Sequence, residues 1–138
     1  MRGLLWVGLS VSLAGCMPGP TGGNDNGAVY AAWAGHQSHL ELVAEGTVAR
    51  NLGTRRGPSG LHEGFLVHLR GGAGHGLTIR VEDNADITGP IPIGEGADVR
   101  IRGEYIYDPR GGLIHWTHHD PRLRHEPGFV EINGRKYQ

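Results

Sequence analysis

The sequence has little cysteine, no large excess of either charge and no long hydrophobic run. One cysteine in 138 residues excludes an intramolecular disulfide, so a hydrophobic core must stabilise the folded part. The formal net charge of −1 argues against a dedicated nucleic-acid binder, which has a strong basic excess, without excluding nucleic acid. The apolar run over residues 4–14 is about half as long as the roughly 20 residues that a transmembrane helix needs.

The N-terminus has the order of an export signal. Arg2 precedes the apolar run, and small residues stand just before Cys16, as at a signal-peptide cleavage site. Residues 13–16, Leu-Ala-Gly-Cys, resemble the lipobox of bacterial lipoproteins, which implies cleavage before Cys16 and acylation of its thiol. Two or three acyl chains hold a protein stably on a membrane. We therefore predict a signal peptide over residues 1–15 and a lipoprotein of the cell envelope, although an ordinary cleaved signal remains an alternative.

The rest of the chain predicts a short tether followed by one domain. Residues 16–27 are rich in glycine and proline, which is typical of a flexible linker. Met17 follows the cysteine where an inner-membrane lipoprotein of enteric bacteria tends to have aspartate, which favours the outer membrane, facing the periplasm. Residues 28–138 are long enough for a single domain. Its first element is predicted to be a helix over 28–38, capped by one of the polar residues at 24–26.

From Glu41 onward, short β-like runs are separated by glycine. Strands are predicted over 41–50, 62–69, 77–81, 99–107 and 112–117, with a β-bulge at Gly46. Asn133-Gly134 predicts a type I′ turn between two short strands, 129–132 and 135–137. The fold class is therefore mainly all-β: a small five-stranded OB-like barrel with a short N-terminal helix and a C-terminal β-hairpin. Another small barrel or a β-sandwich remains an alternative.

Four of the nine histidines fall within residues 115–125. Neutral imidazoles together with a carboxylate suit a divalent transition metal such as zinc. The spacing matches no zinc motif that we can name. The predicted metal ligands are His115, His118, His119, Asp120 and His125. His62 joins this set only if the fold brings it close to His118.

Two other interpretations of the same segment remain open. It can form the rim of a binding site, in which Trp116 offers a stacking face while Arg122 and Arg124 attract a small anionic ligand. Alternatively its side chains are ordinary polar groups: a histidine hydrogen-bonds a carbonyl group, and Asp120 begins an Asx turn before Pro121.

The run over residues 103–125 resembles a bacterial family catalogued as domain of unknown function 3465, whose signature is His-Trp-Thr-His. In this sequence the signature occupies residues 115–118, and the resemblance extends from about residue 40 to the end. It marks the segment as the place to look for a site, but it implies no catalytic role for any residue.

Three functions are compatible with these patterns. The first is a non-enzymatic envelope module that binds a metal ion or a small anionic ligand through residues 115–125. The second is a metal-dependent hydrolase, a nuclease or phosphoesterase, because an open metal position can activate a water molecule. The third is a structural module of the envelope that contacts another protein through Trp116. The sequence predicts no oligomeric state.

Overall fold

The computed structural model describes residues 26–72 and 76–138. The predicted signal peptide, Cys16 and most of the predicted tether lie outside the described residues. None of the helices within those two ranges is long and apolar enough to span a membrane. In chain order, the elements are α1 (Gly27–Ala34), β1 (Leu40–Gly57), β2 (Gly60–Leu69), β3 (Thr78–Asn84), α2 (Ala85–Thr88), β4 (Asp98–Ile106), β5 (Leu113–His115), β6 (Phe129–Ile132) and β7 (Arg135–Tyr137).

Five strands pair into a closed ring. The hydrogen-bonded order is β1, β2, β3, β5 and β4, and β4 pairs in turn with β1. β3 and β5 run parallel, whereas the other neighbours in the ring run antiparallel. The hairpin of β6 and β7 extends the sheet beyond β4. The mainly all-β prediction is confirmed, and the hairpin strands have the predicted bounds.

The core lies inside this ring and follows the alternation of each strand. On β4, the buried residues alternate with more exposed ones, because successive side chains of a strand point to opposite faces. The buried set is Val99, Ile101, Gly103 and Tyr105. Tyr105 is fully buried, and its hydroxyl group donates a hydrogen bond of 3.0 Å to the carbonyl oxygen of Gly111. Burial raises the pKa of Tyr105 to about 12, so this hydroxyl group stays protonated across the physiological range.

Gly46 does not form the predicted bulge. The pairing of β1 is regular at Gly46, which lies opposite Leu69 of β2 and Val99 of β4. The irregularities come later, at residues 48–50 and 51–53. A Cβ atom on Gly46 would overlap the carbonyl oxygen of His68. Glycine is therefore needed here for the close approach of two strands, which is another common reason for glycine inside a strand.

Two features that the sequence did not reveal form one end of the molecule. β1 continues seven residues beyond its predicted end and pairs with β2 as far as Gly57. The helix α2 follows β3 directly, and the Asn84 side chain caps it by accepting a hydrogen bond of 3.1 Å from the amide of Asp86. The arm of β1 and α2 form two sides of the cleft described below.

The described chain starts at a buried asparagine. Asn26 falls within the predicted tether, yet its Nδ2 donates to the carbonyl oxygens of Glu45 and Arg70, at 2.8 and 2.7 Å. Asn26 occupies the N-cap position, as predicted, but its side chain makes no capping hydrogen bond and joins α1 to β1 and β2 instead. The helix also ends at Ala34 rather than residue 38, because Gly35 is a poor helix former and His36 adopts a left-handed φ of 51°.

Candidate functional site

The backbone turns sharply out of the sheet at the start of the histidine-rich segment. β5 ends at His115, two residues before its predicted end, and Trp116 has a φ of 54°. This left-handed conformation is rare for a bulky side chain and costs about 1–3 kcal/mol, so the surrounding structure must hold it in place. Strained residues of this kind concentrate at functional sites.

A buried carboxylate holds the segment just after this turn. The hydroxyl group of Thr117 donates a hydrogen bond of 2.6 Å to Asp83 at the end of β3, and Thr88 of α2 donates to the other carboxylate oxygen. Asp83 is fully buried, and desolvation raises its pKa. On the neighbouring strand Glu63 lies directly opposite Asp83, and burial raises its pKa as well. Asp83 thus ties β3, α2 and the histidine-rich segment together.

Three of the predicted metal-ligating histidines gather around Trp116. His115 and His125 each stack with the indole ring at a centroid distance of 4.7 Å, and His118 meets His125 edge-on at 5.1 Å. We call these four residues the histidine–tryptophan cluster. Trp116 is therefore engaged in stacking with its own chain, which reduces its availability as the ligand-stacking face that the sequence predicted.

Hydrogen bonds fix which ring nitrogen of two histidines can meet a ligand. Nδ1 of His118 lies 2.7 Å from the carbonyl oxygen of His119, and Nδ1 of His125 lies 2.8 Å from that of Glu126. Because a carbonyl oxygen only accepts, Nδ1 must carry the hydrogen in both rings. Their Nε2 atoms are left for a ligand. His115 differs, since its Nε2 faces the Glu104 carboxylate at 3.0 Å.

Asp120 is occupied by its own loop. Its carboxylate accepts hydrogen bonds from the amides of Arg122 and Arg124, at 2.9 and 2.7 Å, and from Nε of Arg124 at 3.0 Å. The amide of Arg122, followed by that of Arg124 and the Arg124 guanidinium, holds the pKa of this carboxyl group well below its usual range. Asp120 therefore begins an Asx turn. This is the arrangement predicted by the alternative in which the segment contains ordinary polar groups.

The five predicted metal ligands are consequently not assembled as a coordination site. The Asp120 carboxylate is engaged by its loop, and His119 is exposed, contributing its carbonyl group to His118. Across residues 26–72 and 76–138, no group of three or more His, Cys, Asp or Glu side chains is arranged to hold a metal ion. The segment brings His115, His118 and His125 together through ring stacking instead.

A cleft of about 560 Å³ opens beside the histidine–tryptophan cluster; we call it the histidine cleft. Arg55 and His62 line it from β1 and β2, Glu82 from β3, and Arg124 from the Asp120 loop. His62 and His118 therefore line the same cleft. Arg122 is not among the residues that line this cleft and borders another depression with Asp120.

The charges of the histidine cleft are mixed but favour anions. Arg55 lies 3.8 Å from Glu82, and Arg124 is held on Asp120. The lining thus contains two guanidinium groups, four imidazoles and one carboxylate. Protonation of an imidazole adds positive charge. The lining can bind an anionic group through charge-assisted hydrogen bonds.

Comparison with known proteins identifies the family of this chain. The model of a family described as "Protein of unknown function (DUF3465)" matches residues 11–138. The chain belongs to the DUF3465 family. No curated protein and no solved structure matches it. The DUF3465 match includes every residue that lines the histidine cleft, but it assigns none of them an activity.

The sequence did not indicate Arg55 and Glu82, which line the cleft of this DUF3465 protein, nor two residues that hold the histidine-rich segment in place. Asp83 looks like a solvated residue at the end of a strand, and its partner Thr117 is 34 residues away. Gly128 looks like a loop glycine, yet its backbone packs against Trp116 and Thr117. Strand alternation offered the one usable signal, because Asp83 continues the inward series of Ile79 and Val81.

Proposed function

We propose that this DUF3465 protein is a non-enzymatic binding module that takes a small anionic ligand in the histidine cleft. The observation that carries the proposal is the convergence of Arg55, Arg124 and four imidazoles on one cleft of about 560 Å³. This volume lies within the usual range for small-molecule sites. Guanidinium groups bind carboxylates and phosphates through paired, charge-assisted hydrogen bonds.

The engagement of the nearby acids supports binding over hydrolysis. The Asp120 carboxylate accepts hydrogen bonds from its own loop, and the Glu104 carboxylate faces both His39 and His115. A carboxylate that is engaged in this way is not free to act as a base or a metal ligand towards an attacking water molecule. The guanidinium groups of Arg55 and Arg124 act only as donors, and Nε2 of a lining histidine becomes a donor when its ring is protonated, which suits the retention of an anion.

Arg55 offers the cleanest test of this proposal. Its side chain is 69% exposed, so Arg55→Gln removes the charge without disturbing the core. Loss of one charge-assisted hydrogen bond should weaken the binding of inorganic phosphate or galacturonate about tenfold. Isothermal titration calorimetry on the full chain in detergent measures both affinities.

The matched control is Arg135→Gln. Arg135 is exposed on β7, where its guanidinium group lies over the Tyr137 ring at 5.0 Å, and it does not line the cleft. Both variants lose one positive charge, so a general electrostatic effect would weaken binding equally in the two. Equal losses, or no binding of either anion to the wild-type protein, would overturn the proposal.

We further propose that the protein is an envelope lipoprotein, anchored through Cys16 in the outer membrane and facing the periplasm. The lipobox-like residues 13–16 support this. The position of Asn26 is compatible with it: this residue binds the carbonyl oxygen of Arg70, just past the end of β2, whereas the cleft lies near the start of β2 at His62. Eight residues of extended strand, from His62 to Arg70, cover about 26 Å. An anchor joined to Asn26 would leave the cleft at the far end, open to periplasmic ligands.

Replacement of Cys16 tests the anchor. Wild-type protein from cells fed an alkyne-labelled fatty acid should begin at Cys16 and carry the label. Cys16→Ser should carry no label and should retain residues 1–15, because the processing of a lipoprotein depends on the modified thiol. Mass spectrometry of the N-terminal peptide measures both, and Ser10→Ala is the control that should remain labelled. A labelled Cys16→Ser protein, or a wild-type protein that begins elsewhere, would refute the anchor.

A further inference from the structure

A second groove lies next to the histidine cleft on the outward face of the sheet. It has a volume of about 600 Å³, and Leu52, Leu66 and Leu113 form its apolar part; we call it the leucine groove. Arg55, Glu82 and Leu113 line both depressions. The two are therefore neighbouring parts of one surface.

The combined surface is long compared with a small molecule. Thr78 at the start of β3 lines the leucine groove, and Asn84 at the end of β3 lines the histidine cleft. Six residues of an extended strand cover about 20 Å. A ligand that fills both depressions must therefore be an extended chain rather than a single small anion.

The leucine groove carries charges of both signs, three arginines and two carboxylates. Arg80 contacts Glu82, and Nε of Arg110 lies 3.0 Å from the Asp108 carboxylate. A nucleic acid has a phosphate in every unit and is bound by surfaces with a strong basic excess. A sugar chain with carboxylates at intervals fits this pattern better. Its carboxylates can pair with arginine, its hydroxyl groups can donate to Glu82 and Asp108, and its C–H faces can cover the leucines.

We propose that this surface binds an acidic polysaccharide, a chain that contains uronic acid, across both the histidine cleft and the leucine groove. The proposal rests on the proposed function, because the same histidine cleft is the end at which one carboxylate is held. The leucine groove adds affinity for the following units of the chain.

The test compares the length of the ligand with a variant at the far end of the surface. Calorimetry on the full chain in detergent would use galacturonate and oligogalacturonates of increasing length. We expect the affinity to rise at least tenfold from the monomer to the longest oligomers and then to reach a plateau once both depressions are filled. Arg110→Gln should abolish most of this gain and leave the affinity for galacturonate unchanged.

Arg110 suits this purpose because its side chain is 89% exposed and pairs with Asp108 within its own turn. A thermal melt would verify that the variant is folded, and Arg135→Gln should alter neither affinity. Binding of galacturonate without any gain from length would overturn the polysaccharide proposal while the anion-binding function stands. Tighter binding of single-stranded DNA of matched length, or equal binding of fully methyl-esterified oligomers, would also overturn it.

Discussion

Gly128→Ala should lower the free energy of unfolding by about 3 kcal/mol, at the upper end of the usual cost of overpacking. A Cβ atom at this position would overlap the carbonyl oxygen of Trp116 and would lie 2.8 Å from Cα of Thr117. The amide of Gly128 also donates a hydrogen bond of 3.0 Å to the carbonyl oxygen of His118. The added Cβ atom would also lie 2.5 Å from the carbonyl oxygen of Arg102 on β4, so the methyl group can be accommodated only if the surrounding backbone moves.

Urea denaturation of the wild-type protein and the variant measures this loss, which should appear in a thermal melt as a decrease in Tm of about 10 °C. Gly94→Ala is the matched control, because nothing lies within 4 Å of the Cβ that it would add and its φ is not left-handed. The control should be neutral or slightly stabilising. If Gly128→Ala unfolds at the same urea concentration as the control, the proposed packing beneath Trp116 is incorrect.

The parts of the fold that were predicted correctly are those determined by neighbouring residues. The C-terminal hairpin is one, since Asn133 and Gly134 have φ values of 52° and 72°, as a type I′ turn requires. The strand predicted over 99–107 is another: it forms β4 over Asp98–Ile106, where burial alternates along the strand, and such alternation depends only on the local sequence. The predictions of a bulge at Gly46 and of a capping hydrogen bond from Asn26 were wrong, because both residues make contacts with distant strands instead.

The candidate site was located by the sequence, but its internal contacts were not. Histidine density indicated residues 115–125, and three of these histidines line the histidine cleft. Residue types alone, however, cannot show where a side chain points. An aspartate before proline can bind a metal or begin an Asx turn, and Asp120 accepts hydrogen bonds from the amides that follow it. His62 and Asp83 enter the site through strand pairing at long range.

Asp83→Ala should lower the free energy of unfolding by about 2 kcal/mol, because the buried hydroxyl group of Thr117 loses its acceptor and the half-buried hydroxyl group of Thr88 loses one of its acceptors. Thr117 and Thr88 both donate to Asp83, so the variant should also loosen the segment that carries Trp116 and His118. Urea denaturation measures the stability, and the NMR signals of the His118 ring report the loosening. Asp83→Asn is the control that retains an acceptor oxygen, and it should lose much less. If Asp83→Asn lost as much unfolding free energy as Asp83→Ala, the hydrogen bonds from the two hydroxyl groups would not be what stabilises the segment.

The same pair of variants should differ in the pH dependence of stability. Burial raises the pKa of Asp83 in the folded state above its ordinary value of 3.8, so the folded protein binds this proton more tightly than the unfolded chain does. Stability should therefore decrease as the pH rises from about 3.8 through the raised pKa, and this contribution should be constant above it. Asp83→Asn cannot ionise and should lack that decrease.

The control concerns the groups around Asp83. Glu63 and His118 face the same carboxylate, so each measurement should be repeated in a Glu63→Gln background, where the difference between aspartate and asparagine should persist. Identical pH profiles of the wild-type protein and Asp83→Asn would mean that Asp83 does not titrate as its burial requires.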